Sequence, residues 1–189
     1  MTRRPAAYKS VTVTHLALGF EFSSPPAAGE SLPPFPRRGP DARNEDEAEN
    51  AARVPTVLLV EDNAPDVYVI GLVLKECGIP IHLVVASNGE EALRIIERAE
   101  TSSAHLRPSM ILLDWNLPKL SGAEVLTYAR NREAWKETPI VVVTSTNSPS
   151  DVDAIHELGA TAHFQKPTDL DAYLDLKRIV LEALPPAKS

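Results

Sequence analysis

The sequence predicts an α/β domain in which helices cover both faces of a doubly wound, parallel, five-stranded sheet. Five short apolar runs alternate along the chain with five segments of helical periodicity. The runs are continuously apolar, which is typical of strands that are buried on both faces. Prolines and acidic residues crowd the first part of the chain, so the domain is expected at residues 54–184, followed by a tail at 185–189.

The first half of the predicted domain contains two strand–helix units. TVLLV at 56–60 is the first strand, and the segment 64–77 follows it at helical spacing. IHLVVA at 81–86 is the second strand. Asn88 then opens the second helix, because asparagine is a favoured N-cap residue.

The second half contains three more units. Ser148 and Pro149 mark the start of the fourth helix and Gly159 its end, while Thr168 is the expected cap of the fifth. The strands are predicted at 109–113, 139–143 and 162–165, and the helices at 122–132, 148–159 and 168–184.

Residues 1–53 are predicted to form a disordered, proline-rich extension that ends in an acidic run. This segment holds seven of the seventeen prolines and has few apolar side chains to bury. Such a composition does not compensate the entropy of ordering the chain. One piece is ambiguous, because VTVTHLALGFEF at 11–22 has partial strand-like alternation and could instead form an extra strand or a docking peptide.

The composition favours a cytoplasmic protein that does not bind DNA directly. Cys77 is the single cysteine, so no intramolecular disulfide is possible. No apolar run approaches the roughly 18 residues that a transmembrane helix requires. The net charge of −7 disfavours binding to the phosphates of nucleic acids.

Polar side chains stand where four of the five predicted strands end. Glu61 and Asp62 follow the first strand, and Asp114 follows the third. Thr144 follows the fourth strand and Lys166 the fifth. Because the carboxyl ends of parallel strands meet at one edge of a sheet, these side chains are expected to converge there.

Each of these residues also has an ordinary explanation. Asp114 could form a turn, Asn63 or Asp66 could cap the next helix, and Lys166 could be a solvated lysine. The joint placement favours a site instead, since three facing carboxylates repel one another unless a cation lies between them. An oxygen-rich site with few carboxylates suits Mg²⁺.

This set of residues matches the needs of phosphoryl transfer. An aspartate carboxylate can attack phosphorus and form an aspartyl phosphate. The outer oxygens of the phosphoryl group then need positive charge and hydrogen-bond donors. Mg²⁺, Lys166 and the hydroxyl of Thr144 would each serve one oxygen, so Asp114 is the candidate phosphoryl acceptor.

Across residues 54–184 the chain resembles the receiver domain of two-component response regulators. The resemblance is carried by LLVEDN, NGEEAL, ILLDWNLPKLSGAEVL, PIVVVTS, LGA and KP. It implies a flavodoxin-like (βα)₅ fold with strand order 2-1-3-4-5. More narrowly, EDNAPDVYVI and LDWNLPKLSG resemble the single-domain subfamily that partners bacterial phytochromes and related histidine kinases.

The resemblance implies a role for each matching residue. Asp114 is similar to the phosphoacceptor, Thr144 to the switch hydroxyl and Lys166 to the phosphate-pairing lysine. Glu61 and Asp62 resemble the acid pair that binds Mg²⁺ together with Asp114 itself. The resemblance further implies that the main-chain carbonyl of Asn116 is a metal ligand, that Thr146 helps to tune phosphoryl lifetime, and that the bond between Lys166 and Pro167 is cis.

Three positions depart from the family pattern. His163 occupies the place of the switch aromatic, and Phe164 is its neighbour, so the usual aromatic switch is uncertain here. His163 either performs this role or is a half-buried imidazole without it. Pro65 stands one residue later than is commonest, and Ser121 replaces the usual aspartate before Gly122.

The resemblance implies a signalling protein rather than an enzyme, with slow autodephosphorylation at most. Its expected partners are a sensor histidine kinase, phytochrome-like in the narrower subfamily, or a phosphotransfer protein. Output is expected through protein contacts, including a homodimer through the face of the fourth helix, fifth strand and fifth helix. An apolar stripe in the last helix supports such a dimer but equally suits core packing.

Other functions are less compatible with these residues. In a flavin-binding module the loop after the first strand would bind a phosphate group. Here that loop is EDNAPD, whose acidic side chains would repel a bare phosphate. A haloacid dehalogenase-type phosphatase needs a second aspartate two residues after the nucleophile, where this chain has Asn116. A receiver-like scaffold that is never phosphorylated is the remaining alternative, and the change at His163 keeps it open.

Overall fold

A computed structural model describes residues 9–13, 54–101, 107–146, 148–169 and 171–184. The strands are β1 (Lys9–Val13), β2 (Thr56–Val60), β3 (Ile81–Ala86), β4 (Met110–Asp114), β5 (Ile140–Thr144) and β6 (Ala162–Gln165). The helices are α1 (Ala64–Glu76), α2 (Gly89–Thr101), α3 (Gly122–Arg130), α4 (Pro149–Glu157) and α5 (Leu174–Ala183). Within these described ranges, no helix is long and apolar enough to cross a membrane.

The sheet confirms the predicted topology. Its strands lie in the order β1-β3-β2-β4-β5-β6, and β2 to β6 are parallel. If these five parallel strands are numbered 1 to 5 along the chain, their order in the sheet is 2-1-3-4-5, as the resemblance implied. The two strands that flank β2 place its end, and therefore the acids after it, near the middle of the sheet.

The sixth strand is an addition to the predicted sheet. Lys9–Val13 pair antiparallel with β3, from Lys9 opposite Val85 to Val13 opposite Ile81. The expectation of a disordered extension is therefore wrong for these five residues, because their backbone groups find partners along the open edge of β3. For Val11–Val13 this is the extra strand that the alternation at 11–22 left open. Residues 1–8 and 14–53 lie outside the described part of the chain.

Two apolar layers hold the helices against the sheet. Because side chains alternate along a strand, Val57 and Leu59 enter one layer while Leu58 and Val60 enter the other. The first layer receives α1 and α5, and the second receives α2, α3 and α4. Burial of each aliphatic side chain contributes about 1.5–3 kcal/mol to the stability of the fold. The two layers therefore hold the strands, and with them the residues at the strand ends, in place.

Most helix boundaries follow the predicted capping residues. The side chain of Asn88 accepts a hydrogen bond from Glu91 N at 3.0 Å, which confirms it as a cap. Ser121, the replacement for the usual aspartate, forms a capping box with Glu124. Gly159 ends α4 with φ +85°. Ser148 precedes α4 as expected, but its side chain makes no capping hydrogen bond to the helix.

The last helix begins later than predicted. Thr168 does not cap it, since α5 starts at Leu174 after a single 3₁₀ turn at Asp171–Tyr173. The buried ring of Tyr173 lies 5.7 Å from that of Phe164. This aromatic contact packs the 3₁₀ turn against β6, directly before the first residue of α5. Helical periodicity alone does not show such a contact.

Gly122 brings the start of α3 against the end of β4. A β-carbon at this position would lie 2.4 Å from the carbonyl oxygen of Asp114 and 2.8 Å from Cα of Trp115. Both neighbours are backbone atoms, which move only if the loop moves. The absence of a side chain at Gly122 therefore helps to fix Asp114 in place.

Two glycine-to-alanine substitutions are expected to have opposite effects on stability. Gly71→Ala, inside α1 where a β-carbon meets no atom within 4 Å, should stabilise the fold by about 1 kcal/mol. Gly122→Ala should destabilise it by about 1–3 kcal/mol because of the backbone overlap. Urea denaturation of both variants measures the two changes, and equal effects would contradict this account of Gly122.

Candidate functional site

The predicted site residues meet at the carboxyl edge of the sheet. Glu61 directly follows β2, and Lys166 directly follows β6. Asp114 and Thr144 are the last residues of β4 and β5, one position further into the strands than the sequence predicted. This position inside the ladder explains why both side chains are buried.

The ammonium group of Lys166 lies at the centre of the site. Its Nζ is 2.7 Å from Glu61 Oε2, 2.9 Å from Asp66 Oδ2 and 3.2 Å from Asp114 Oδ2. The side chain of Lys166 is only 7% exposed. Contacts of this length between buried groups of opposite charge are charge-assisted hydrogen bonds, so Lys166 ties β6 to β2, β4 and α1.

Asp66 is the site residue that sequence reasoning missed. The sequence indicates it only as a possible helix cap, yet its carboxylate contacts Lys166 from the first turn of α1. The available signal was an acid in the first turn of the helix that follows the acid pair. That signal is weak, because acids are common in the first turn of any helix.

Glu61, Asp62 and Asp114 form an oxygen cluster suited to a divalent cation. One carboxylate oxygen from each lies within 4.8 Å of the others. Ligands of an octahedral Mg²⁺ at 2.0–2.1 Å are about 2.9 Å apart when adjacent and about 4.2 Å when opposite, so the three oxygens would have to draw closer together around the ion. Asp62 is exposed while the other two are buried, which leaves a side of the site open to water and substrate.

The charges in the site are strongly coupled. Burial raises the pKa of Glu61 to about 7, the hydrogen bond from Lys166 lowers it, and the charge of Asp114 raises it. Burial opposes the charge of Lys166, but its hydrogen bonds with Glu61 and Asp66 and the charge of Asp114 raise its pKa well above the usual value. Lys166 is therefore cationic at neutral pH, and a further cation would relieve the crowding of carboxylates.

Thr144 connects the site to the loop before α4. Its Oγ1 accepts a hydrogen bond from Thr146 N at 3.1 Å, and its carbonyl oxygen accepts one from Lys166 N at 2.7 Å. The hydroxyl of Thr146 in turn donates to Asp151 Oδ2 at 3.0 Å. A shift of the Thr144 hydroxyl toward Asp114 would break the first of these bonds, while Thr146 would stay bonded to Asp151.

The turn after β4 holds the carboxylate of Asp114. Asp114 Oδ1 accepts a hydrogen bond from the backbone N–H of Asn116 at 3.1 Å, while Oδ2 faces Lys166. Asn116 therefore lies beside the acceptor as predicted. The role of its main-chain carbonyl as a metal ligand stays a prediction.

His163 and Phe164 lie on opposite faces of the sheet. Phe164 is buried in the layer that packs α1 and α5. The half-buried ring of His163 contacts His156 of α4, with ring centroids 5.1 Å apart and planes at 86°. Because β6 is pleated, Phe164 cannot take the place of His163 beside α4. A switching role for His163 stays a prediction.

The bond between Lys166 and Pro167 is trans. No cis peptide bond occurs in the described residues, so the expected cis bond is a wrong prediction. The trans form is the lower-energy isomer of an X–Pro bond by about 0.5–1 kcal/mol. Lys166 makes its three carboxylate contacts with this bond trans.

Comparisons with known proteins point to one family. The family model of the response regulator receiver domain matches residues 57–177. Response regulator Rcp1 from Synechocystis sp. is 34% identical over 114 residues, which cover 60% of this chain and 78% of that protein.

Two solved structures are similar to the chain as well. The Mn²⁺-bound form of response regulator Rcp1 has a TM-score of 0.60 and 32% identity, and the match covers 67% of this chain and 91% of that one. The phosphorylated cyanobacterial phytochrome response regulator RcpA has a TM-score of 0.62 and 28% identity, covering 69% and 94%.

Mg²⁺ is expected to stabilise the folded protein against heat. A ligand that binds only the native state stabilises it by about 2.7 kcal/mol at 100 times its Kd. Asp62→Asn removes a carboxylate of the cluster and should weaken Mg²⁺ binding by about tenfold, since ligand charge sets affinity. Thermal unfolding across a Mg²⁺ titration measures this, with Asp153→Asn, an exposed residue of α4, as control. Equal Mg²⁺ responses in the two variants would argue against the cluster as the binding site.

Proposed function

The chain belongs to the response regulator receiver domain family, and on that basis we propose that Asp114 accepts a phosphoryl group from a histidine kinase or phosphotransfer protein. Receiver domains are signalling proteins rather than classical enzymes. The observation that carries the proposal is the convergence of Lys166 and the carboxylate cluster on Asp114.

The proposed step is a displacement at phosphorus. An oxygen of the Asp114 carboxylate attacks the phosphorus atom of a phosphohistidine, and the P–N bond breaks as the P–O bond forms. The leaving imidazole retains the electron pair of the broken bond and takes up a proton. Little covalent chemistry is left for the protein, so its contribution is positioning and charge.

The side chains around Asp114 have distinct parts in this step. Lys166 neutralises charge on the incoming phosphoryl oxygens and is already within 3.2 Å of Asp114. Glu61, Asp62 and Asp114 would hold Mg²⁺, which supplies positive charge to a phosphoryl oxygen when it is bound. Thr144 would donate its hydroxyl to the remaining oxygen.

The kinase partner is proposed to be of the phytochrome type. RcpA, one of the two similar solved structures, is described as a phosphorylated cyanobacterial phytochrome response regulator. The Mn²⁺ in the Rcp1 structure supports a divalent cation in the proposed reaction. The transfer of the phosphoryl group is proposed to occur in the cytoplasm. The aspartyl phosphate would then lose its phosphoryl group slowly to water.

Acetyl phosphate is expected to add a phosphoryl group to the protein, a gain of about 80 Da. The gain should require Mg²⁺ and should be absent in Asp114→Asn, which keeps the shape of the side chain and removes the nucleophile. Intact-protein mass spectrometry measures both. A folded wild-type protein that gains no mass under any condition would contradict the proposal and favour the scaffold alternative.

The output of phosphorylation is proposed to be a homodimer through α4, β6 and α5. Thr144, on the strand next to that of Asp114, is hydrogen-bonded to the loop before α4, and His163 of β6 contacts α4. Leu174 and Leu181, seven residues apart on α5, are 56% and 42% exposed there. Such a pair of large apolar side chains suits a contact with another protein.

Phosphorylation is expected to double the mass of the particle in solution. The double substitution Leu174→Glu and Leu181→Glu should keep the phosphorylated protein monomeric, because the dimer would bury charge without partners. Tyr68→Glu is the control, since Tyr68 is 48% exposed on α1, a helix that is not part of the proposed interface. Light scattering after size-exclusion chromatography gives the masses, and an equal loss of dimer in both proteins would locate the interface elsewhere.

A further inference from the structure

The ammonium group of Lys166 has no hydrogen-bond donor to spare. A lysine ammonium carries three N–H groups, and three carboxylates lie within hydrogen-bond distance of Nζ. A phosphoryl group on Asp114 would convert this carboxylate into an acyl phosphate and release one N–H, while Glu61 and Asp66 would still hold the ammonium group. The carboxylates that remain bound to Lys166 therefore compete with the phosphoryl group for the same positive charge.

Asp66 differs from the other two carboxylates. Glu61 and Asp114 belong to the oxygen cluster that fits a divalent cation, and Asp66 does not. A bound cation would draw Glu61 and Asp114 toward itself and repel the ammonium group. Asp66 would then be the partner that remains for Lys166.

We propose that Asp66 is a positioning residue that acts through Lys166. Its carboxylate holds the ammonium group in the unphosphorylated protein and competes with the phosphoryl group for it. Asp66 thereby limits the phosphorylated fraction and shortens the life of the aspartyl phosphate. This inference rests on the proposed function of Asp114 and assigns to the same site a residue that opposes phosphorylation.

The charges in the site support competition. A phosphoryl group brings about −1.5 to −2 charge to within reach of an ammonium that Asp66 already contacts at 2.9 Å. Two anions that share one cation repel each other, and the repulsion is strong where water is scarce. The side chain of Lys166 is 7% exposed and that of Asp66 24%, so solvent screens this pair only in part.

The position of Asp66 is also fixed by the helix that carries it. It lies in the first turn of α1, where the helix dipole favours negative charge. The helix is anchored by Ile70, Val73 and Leu74 in the core. Movement of Lys166 toward a phosphoryl group therefore separates it from Asp66, because Asp66 cannot follow.

Asp66→Asn is the substitution that isolates the charge. An amide has nearly the same shape as a carboxylate and can still accept a hydrogen bond from Lys166. With acetyl phosphate and Mg²⁺, the variant is expected to show a ~3- to 10-fold higher ratio of phosphorylated to free protein. After acetyl phosphate is removed, its phosphoryl group should also be lost more slowly, by a similar factor.

Two further variants separate competition from a purely structural role. Asp66→Glu keeps the charge on the first turn of α1 and should return both quantities toward the wild-type values. Glu76→Gln removes a carboxylate from the other end of the same helix and should change neither. A structural role of Asp66 would instead be revealed by a lower melting temperature with an unchanged phosphoryl lifetime.

Intact-protein mass spectrometry over time measures all four proteins. A lower or unchanged phosphorylated ratio in Asp66→Asn, with wild type phosphorylated, would overturn the role of Asp66 alone. No mass gain in wild type or any variant would overturn the proposed function and this inference with it. Higher ratios in both Asp66→Asn and Glu76→Gln would indicate a general effect of net charge and would also overturn it.

Discussion

The repulsion between carboxylates at the end of the central strands is the constraint on which the rest of this structure depends. Glu61 and Asp114 are both buried at the carboxyl edge, and Asp62 lies beside them. Buried like charges are unfavourable unless a cation is close. The folded chain supplies this cation as Lys166, which directly follows β6. The last strand of the sheet thus positions the charge that neutralises Glu61 and Asp114 at the ends of the central strands.

This arrangement makes the acceptor responsive to added charge. The carboxylate of Asp114 is held by the backbone of Asn116 on one oxygen and by Lys166 on the other. A phosphoryl group at this position changes the charge balance of every contact that Lys166 makes. The fold therefore places a small set of ion pairs in competition, which is how a local charge event can bias a two-state element.

The contacts beyond the acceptor lead in one direction. Thr144, Thr146 and Asp151 form a chain of hydrogen bonds from the end of β5 to the first turn of α4. His163 packs against His156 of the same helix from β6. Both connections end on α4, whereas the opposite layer contains Phe164 and the aromatic packing that sets the start of α5.

The sequence by itself determined the five parallel strands and the meeting of Glu61, Asp62, Asp114, Thr144 and Lys166, because continuous apolar strands with crossover helices place every strand end at one edge. The strand order followed from the resemblance to receiver domains. Tertiary structure alone decided what lies across from these residues. Asp66 reaches Lys166 from a helix, Tyr173 delays α5 by packing on Phe164, and Lys9–Val13 pair with the edge of β3. Local periodicity contains no information about which residues of different elements contact one another, since such contacts form only when the layers pack.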